Sequence, residues 1–254
     1  MTKVTGKTFD ILELLAAEPC AEHSVSDVAK ALAINKATAG RILIDLLERG
    51  YAFQSSNRRG YSLGPMAYAL AGRGVFRKDL IDASQEIVSR FAHEDIEESA
   101  IVATFFKGRR YILVNENGNK EVQPVIDRPW YDGMYYTATG RLLLAHAPEE
   151  DLKSYFKSHE LPSQMHWEGV DSYEKLQQEL ARIREEGYVS CLSCPPTSFW
   201  VMAFPIRLKG RIEAALGITV LTSAFKEPRS TELLKKGADC ASRIEAKLNG
   251  AFKQ

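Results

Sequence analysis

Charge of neither sign is in surplus in this chain: 33 Lys and Arg balance 33 Asp and Glu. The strongly basic composition that accompanies indiscriminate nucleic-acid binding is absent, so any DNA contact must come from where the charges are placed. Long apolar runs are missing too. Nowhere do about 18 apolar residues follow one another, and no charged segment leads into an apolar one near the start, which predicts a soluble cytoplasmic protein with no membrane partner. Cysteine is scarce, with four in 254 residues, too few for a disulfide framework and suited to a reducing compartment. Cys191 and Cys194 form a C-x2-C pair, but Cys20 and Cys240 are single and His159 and His166 are not grouped. A structural zinc needs two more ligands at suitable spacing. Pocket lining is the favoured reading of the pair, with a redox switch and zinc as the alternatives. The acidic run from His93 to Glu98 reads as a solvated helix end rather than a metal cluster. G-x-S-x-G, H-E-x-x-H, a P-loop and a complete dinucleotide fingerprint are also missing. No catalytic residue, cofactor or metal is expected.

What the chain does have is a two-helix pattern between residues 26 and 50. Ser26 is placed to cap a first helix, behind which Val28, Ala29 and Leu32 form an apolar stripe. Ala33-Ile34-Asn35 breaks the period, and Asn35 can cap a second helix that runs to about Arg49. Gly50 stands where a left-handed C-cap belongs. At about 100° per residue, Ala39, Ile42, Leu43 and Leu46 gather on one side of that second helix. Ala37, Gly40, Arg41, Ile44 and Asp45 gather on the other. A glycine inside a helix costs roughly 1 kcal/mol against alanine, and close approach to another surface is one reason to keep it. A small outward face flanked by Lys36 and Arg41 suits a DNA major groove, although a helical hairpin in some other bundle shows the same pattern.

The surroundings favour DNA. Thr8 to Ala17 is amphipathic at helical spacing. Tyr51 to Gln54 and Tyr61 to Leu63 read as strands on either side of a turn, residues 55–60, that carries Arg58 and Arg59. Three helices followed by a hairpin with two arginines at its tip is the layout of a winged helix-turn-helix, whose wing reaches the phosphate backbone. Pro65 can open a linker helix, closed by Gly72 and Gly74. Residues 1–64 carry eight basic and seven acidic side chains, a net +1. Beyond them, helical patterns are predicted at Leu80–Phe91, Thr139–His146, Glu149–Lys157, Asp171–Glu186 and Ser230–Leu248. Strands are predicted at Ala100–Phe106, Tyr111–Val114, Val201–Leu208 and Ile212–Leu221, with Lys107-Gly108-Arg109 as a turn. An α+β domain with a mainly antiparallel sheet accounts for residues 78–254.

In order and spacing the chain resembles the IclR family of bacterial transcriptional regulators. The carrying residues are Val28-Ala29-Lys30-Ala31-Leu32-Ala33, Lys36-Ala37-Thr38, Arg41-Ile42-Leu43, Leu47-Glu48-Arg49-Gly50-Tyr51 and Gly60-Tyr61-Ser62-Leu63-Gly64. In the second half they are Ala138-Thr139-Gly140-Arg141 and Arg184-Glu185-Glu186-Gly187-Tyr188. The resemblance implies a winged helix-turn-helix (1–64), a linker helix (65–77) and a GAF-like effector domain (78–254). It also implies a homodimer or tetramer on palindromic double-stranded operator DNA, a small-molecule effector and no catalysis. Three departures lie near the effector pocket that the family is expected to have. Arg141 replaces the usual Lys, Ser190 to Pro196 replaces an acidic stretch, and Gly217-Ile218-Thr219 stands where Ser-x-Ser is common.

For the DNA face the candidates are Lys36, Ala37, Thr38, Gly40 and Arg41, with Arg58 and Arg59 from the wing. For the effector they are Trp130, Tyr135, Thr139, Gly140, Arg141, Cys191, Trp200, Gly217 and Thr219. The helix opening at Thr137–Thr139 offers N–H groups and a positive dipole end to a carboxylate, and the aromatic residues can cover a ring-bearing ligand body in a closed cavity. The rivals are a ligand-sensing scaffold that does not bind an operator, and an enzyme. Arg41→Ala is expected to weaken specific operator binding by about 1–3 kcal/mol if the side chain reads a base. Arg58→Ala combined with Arg59→Ala should lower affinity for all sequences alike and flatten the salt dependence by about two units of slope. Titrations at several salt concentrations on a footprinted operator check both, and wild-type affinity in all three substitutions would rule out this placement.

Overall fold

The computed structural model describes residues 3–17, 21–54, 60–71, 76–126, 130–193 and 199–251. By contacts the chain divides into two compact units, Met1–Phe76 and Arg77–Gln254. The first contains α1 (Lys3–Ala17), α2 (Val25–Ala31), α3 (Lys36–Glu48), β1 (Ala52–Gln54), β2 (Tyr61–Leu63) and α4 (Pro65–Ala71). Its core joins Ile11 and Leu15 of α1 to Val28 of α2 and to Ala39, Ile42, Leu43 and Leu46 of α3. The antiparallel strands β1 and β2 pair Ala52 with Leu63 and Gln54 with Tyr61. Together these are the three helices and hairpin strands of a winged helix-turn-helix.

The cap of α2 lies two residues earlier than the sequence suggested. Ser24, not Ser26, is the N-cap: its Oγ accepts the Asp27 N–H at 3.2 Å, and Asp27 Oδ2 accepts the Ser24 N–H at 2.9 Å. A reciprocal box satisfies two orphan donors where a single serine satisfies one, and the bond with Ser24 holds the Asp27 carboxyl below its ordinary value. Asn35 caps α3 as expected, accepting the Ala37 N–H at 2.8 Å. Between the two helices Ala33 takes a left-handed conformation, φ 51°. Past α3, Gly50 has φ 75°, the C-cap geometry its place in the sequence implied.

The second unit is a three-layer α+β structure. It runs through α5 (Lys78–Arg90), a π-helical turn (Phe91–Ile96), β3 (Ser99–Phe106), β4 (Arg109–Asn117), β5 (Trp130–Tyr131), a 3-10 turn (Met134–Tyr136) and α6 (Ala138–Ala145). It continues with α7 (Glu149–Ser158), α8 (Tyr173–Glu186), β6 (Val189–Leu192), β7 (Phe199–Leu208), β8 (Arg211–Leu221) and α9 (Arg229–Ala251). The strands form one six-stranded sheet in the order β5-β4-β3-β8-β7-β6. Every pair is antiparallel.

Alternation along the strands sends side chains to two separate cores. Val102, Met202, Phe204, Leu216 and Ile218 face α5 and α9. Ala103, Ala203 and Ala215 face α6 and α8. The second set is small, so α6 lies close on the sheet. The tight β3–β4 turn is shorter than predicted. Lys107 and Gly108 both have positive φ, 52° and 80°, a two-residue hairpin connection. Arg109 is therefore not a turn residue but pairs with Phe106 in the ladder. The short strands β5 and β6 carry too few residues for a period to show in the sequence.

Ser24→Ala should lower stability toward urea by about 1 kcal/mol, whereas Ser26→Ala, exposed in the first turn, should stay within about 0.5 kcal/mol of wild type. Denaturation of both variants followed by circular dichroism distinguishes the caps, and the reverse order of effects would refute the assignment.

Candidate DNA face and effector cavity

In the first unit, burial of Ala39, Ile42, Leu43 and Leu46 fixes which side of α3 faces out. Lys36, Ala37 and Arg41 are exposed, while Thr38 and Gly40 are half-buried. Neither Lys36 nor Arg41 has an ion-pair partner among the described residues. Ile44, 50% exposed, extends the same face, and Arg58 and Arg59 lie outside the described residues. A Cβ added at Gly40 would sit 3.5 Å from Val25 Cγ1, an ordinary contact. Packing against α2 thus gives no reason for the glycine.

In the second unit, a cavity of about 500 Å³ lies where the first turn of α6 meets the sheet. Its floor includes Ile101 of β3, Val201 of β7 and Gly217 and Thr219 of β8, with Thr137, Ala138 and Thr139 at its side. Trp130, Tyr131 and Tyr136 bring aromatic rings to it. A Cβ at Gly217 would come within 2.6 Å of Thr139 Cγ2 and 2.9 Å of Ile101 Cγ1, so the bare position on β8 lets α6 settle on the strand. The cavity is open to solvent rather than closed: Val125, on its lining, is 88% exposed. Tyr155 of α7 braces the segment beside it, donating to the Asp132 carbonyl at 3.0 Å and accepting the Met134 N–H at 3.1 Å.

The cavity also holds a charge that the sequence reading passed over. Arg110 of β4 lines it yet is only 6% exposed. Its Nη1 donates to Thr139 Oγ1 at 2.7 Å, and its guanidinium lies 5.2 Å from the Tyr131 ring centre. Nε is buried with no hydrogen-bond partner. Burial pulls its pKa down to about 10, which still leaves it cationic at neutral pH. Neighbouring Arg109 points the other way, bonding Asp132 Oδ1 at 3.1 Å and covering the Trp130 ring at 4.0 Å. Strand parity was the available signal. Ile112 packs against the second core, and a residue two positions away in a strand shares its face.

Of the residues expected at the effector site, the structure brings Trp130, Thr139, Gly217 and Thr219 to the cavity. It places five elsewhere. Tyr135, 3% exposed, is in the second core, its ring 5.4 Å from Tyr155 and 6.3 Å from Trp167. Arg141 donates to the carbonyls of Tyr135 and His166 and lies 4.3 Å over Trp167, so it ties loops together instead of facing a ligand. A Cβ on Gly140 would lie 2.2 Å from the Met134 carbonyl oxygen; the glycine admits backbone, and filling it with Leu would break that contact. Trp200 packs toward the opposite core, donating to Ser190 Oγ at 2.8 Å and stacking on Phe225 at 4.7 Å. Cys191 packs against the second core from β6, outside the cavity lining, and Cys20 and Cys194 are outside the described residues.

Comparison with known proteins agrees in both units. A model of the IclR helix-turn-helix domain matches residues 4–56, and one of the bacterial transcriptional regulator IclR C-terminal region matches residues 129–246. The chain is 26% identical over 252 residues to the HTH-type transcriptional regulator KdgR of Escherichia coli, covering 95% of this chain and 91% of that one. It is 25% identical over 219 residues to the HTH-type transcriptional regulator BhcR of Paracoccus denitrificans, covering 86% and 76%. Its fold matches the crystal structure of an IclR homolog complexed with 4-hydroxybenzoate from Microbacterium hydrocarbonoxydans, with a TM-score of 0.77 at 21% identity over 98% of this chain and 100% of that one. An IclR-type regulator from Alicyclobacillus acidocaldarius gives 0.76 at 18% identity, covering 98% and 99%.

Gly40 supplies a test of the DNA face. Gly40→Ala should raise stability by up to about 1 kcal/mol through helix propensity, because the methyl group meets no clash. The same change should weaken operator binding if a groove comes close to this position. Thermal melting paired with an electrophoretic shift measures both, and a more stable variant with unchanged affinity would show that DNA does not approach Gly40.

Proposed function

As the chain belongs to the IclR family of bacterial transcriptional regulators, we propose that it binds a palindromic operator through α3 and a wing and senses a small organic acid in its second unit. The single observation behind the sensing role is the cavity of about 500 Å³ at the start of α6. It is large enough for a small metabolite and combines apolar walls with a few convergent polar groups, as ligand sites do. Three aromatic side chains on its lining favour a ring-bearing acid, the class to which the 4-hydroxybenzoate of the Microbacterium homolog belongs. On this reading residues 1–64 hold the operator, 65–77 link and 78–254 sense. Trp130, Thr139, Gly217, Thr219 and Arg110 contact the ligand, and the regulator works in the cytoplasm as a homodimer or tetramer. No helix among the described residues is long and apolar enough to cross a membrane.

Effector binding can change operator affinity only by favouring one of two conformations of the regulator. Calorimetry of the full chain against aromatic and aliphatic acids, 4-hydroxybenzoate among them, should find a binder that quenches or shifts emission from Trp130. At about 100 times its Kd that ligand should stabilise the protein by about 2.7 kcal/mol and alter the electrophoretic shift of the protein's own upstream DNA. A panel without a binder overturns the sensing role. A ligand-responsive protein that shifts no DNA is instead a sensor scaffold.

A further inference from the structure

We infer that Arg110, presented by Thr139, is the anion seat of the cavity and restricts its ligand to a monocarboxylate with an apolar body; this rests on the sensing role proposed above. The other arginines held inside the second unit have acceptors. Arg77 bonds Asp79 at 3.0 Å and Glu213 at 2.9 Å, and Arg141 bonds two backbone carbonyls. Arg110 is more deeply buried than Arg77 and has one neutral hydroxyl. A guanidinium carries five N–H donors, and here Nε–H has no acceptor and no carboxylate pairs with the group among the described residues. A buried cation without a counter-charge is costly to hold.

The vacancy in bonding has a shape. Nε is enclosed, so the Nη edge of the planar guanidinium, whose donors exceed the one given to Thr139, is the edge that suits two carboxylate oxygens, and Arg110 lines the cavity. Among the described residues the other ionised side chain on the lining, Asp132, is engaged by Arg109, which leaves one positive charge over. One carboxylate cancels it. An amide leaves it uncancelled, and a second carboxylate would find no further cation among the described residues of the lining. Ligand class thus follows from charge balance in a partly desolvated space, with the rings of Trp130 and Tyr131 covering the apolar body.

The test uses the full chain with benzoate, benzamide and phthalate, read by calorimetry and by the 15N resonance of the Arg110 Nε–H. Benzoate should bind at least tenfold more tightly than either of the others and shift that resonance. Arg110→Gln should abolish the preference, leaving benzoate and benzamide equal, and Arg110→Lys should keep part of it. Circular dichroism and operator binding show whether each variant is folded, and the resonance in the wild-type protein reports without any variant. If the wild type binds benzoate and benzamide alike, or Arg110→Gln keeps the preference, the anion seat is wrong while the cavity remains a sensor. If none of the three probes binds the wild type, and the wider acid panel also gives no binder, the sensing role fails with it.

Discussion

The second unit depends on a helix that has no exposed face. All eight residues of α6, Ala138 to Ala145, are buried, including Thr139 and Arg141, whose polar groups must find partners inside the protein. The surrounding structure supplies them. Thr137 caps the helix through the Gly140 N–H at 3.1 Å, the carbonyls of Tyr135 and His166 receive Arg141, and Thr139 meets Arg110. Two glycines make the seating possible, Gly217 under the helix and Gly140 against the Met134 backbone. A side chain at Gly217 would lift α6 from the sheet, and one at Gly140 would push away the turn at Met134.

That arrangement divides the arginines of the second unit into two kinds. Arg77, Arg109 and Arg141 join segments to one another through carboxylates or carbonyls. Among the described residues Arg110 hydrogen-bonds only Thr139, and it lines the cavity. The difference arises from two adjacent residues in an extended strand, because neighbours in a strand point to opposite faces. Arg109 reaches Asp132 and Trp130 on one side, and Arg110 enters the space beneath α6 on the other.

The first unit obeys a simpler economy. Its core fixes the rotation of α3, so the exposed stripe carrying Lys36, Ala37 and Arg41 follows from what must be hidden. With a net +1 over residues 1–64, affinity for DNA depends on where those few charges stand. Gly40 has room for a methyl group on its inner side, so packing against α2 does not require the glycine.

Most of the architecture was legible in the chain itself. Apolar periodicity located both helices of the helix-turn-helix, and the residues at Asn35 and Gly50 marked their ends, because caps are local and act within one turn. The four long strands and five helices of the second unit were legible for the same reason, whereas β5 and β6 were too short to show a period. The cap at Ser24 was misplaced by two residues because two serines compete there and only the geometry shows which one Asp27 answers. The site was legible only in part. Thr139, Gly217 and Thr219, chosen for their place near the start of a helix and on a strand, line the cavity, but Gly140, Arg141 and Trp200 share those neighbourhoods and lie outside it. Which face a strand residue occupies, and whether a buried cation meets an acceptor, depends on elements distant in sequence. Arg110 and Thr139 lie 29 residues apart, and only the packing of α6 onto the sheet brings them together.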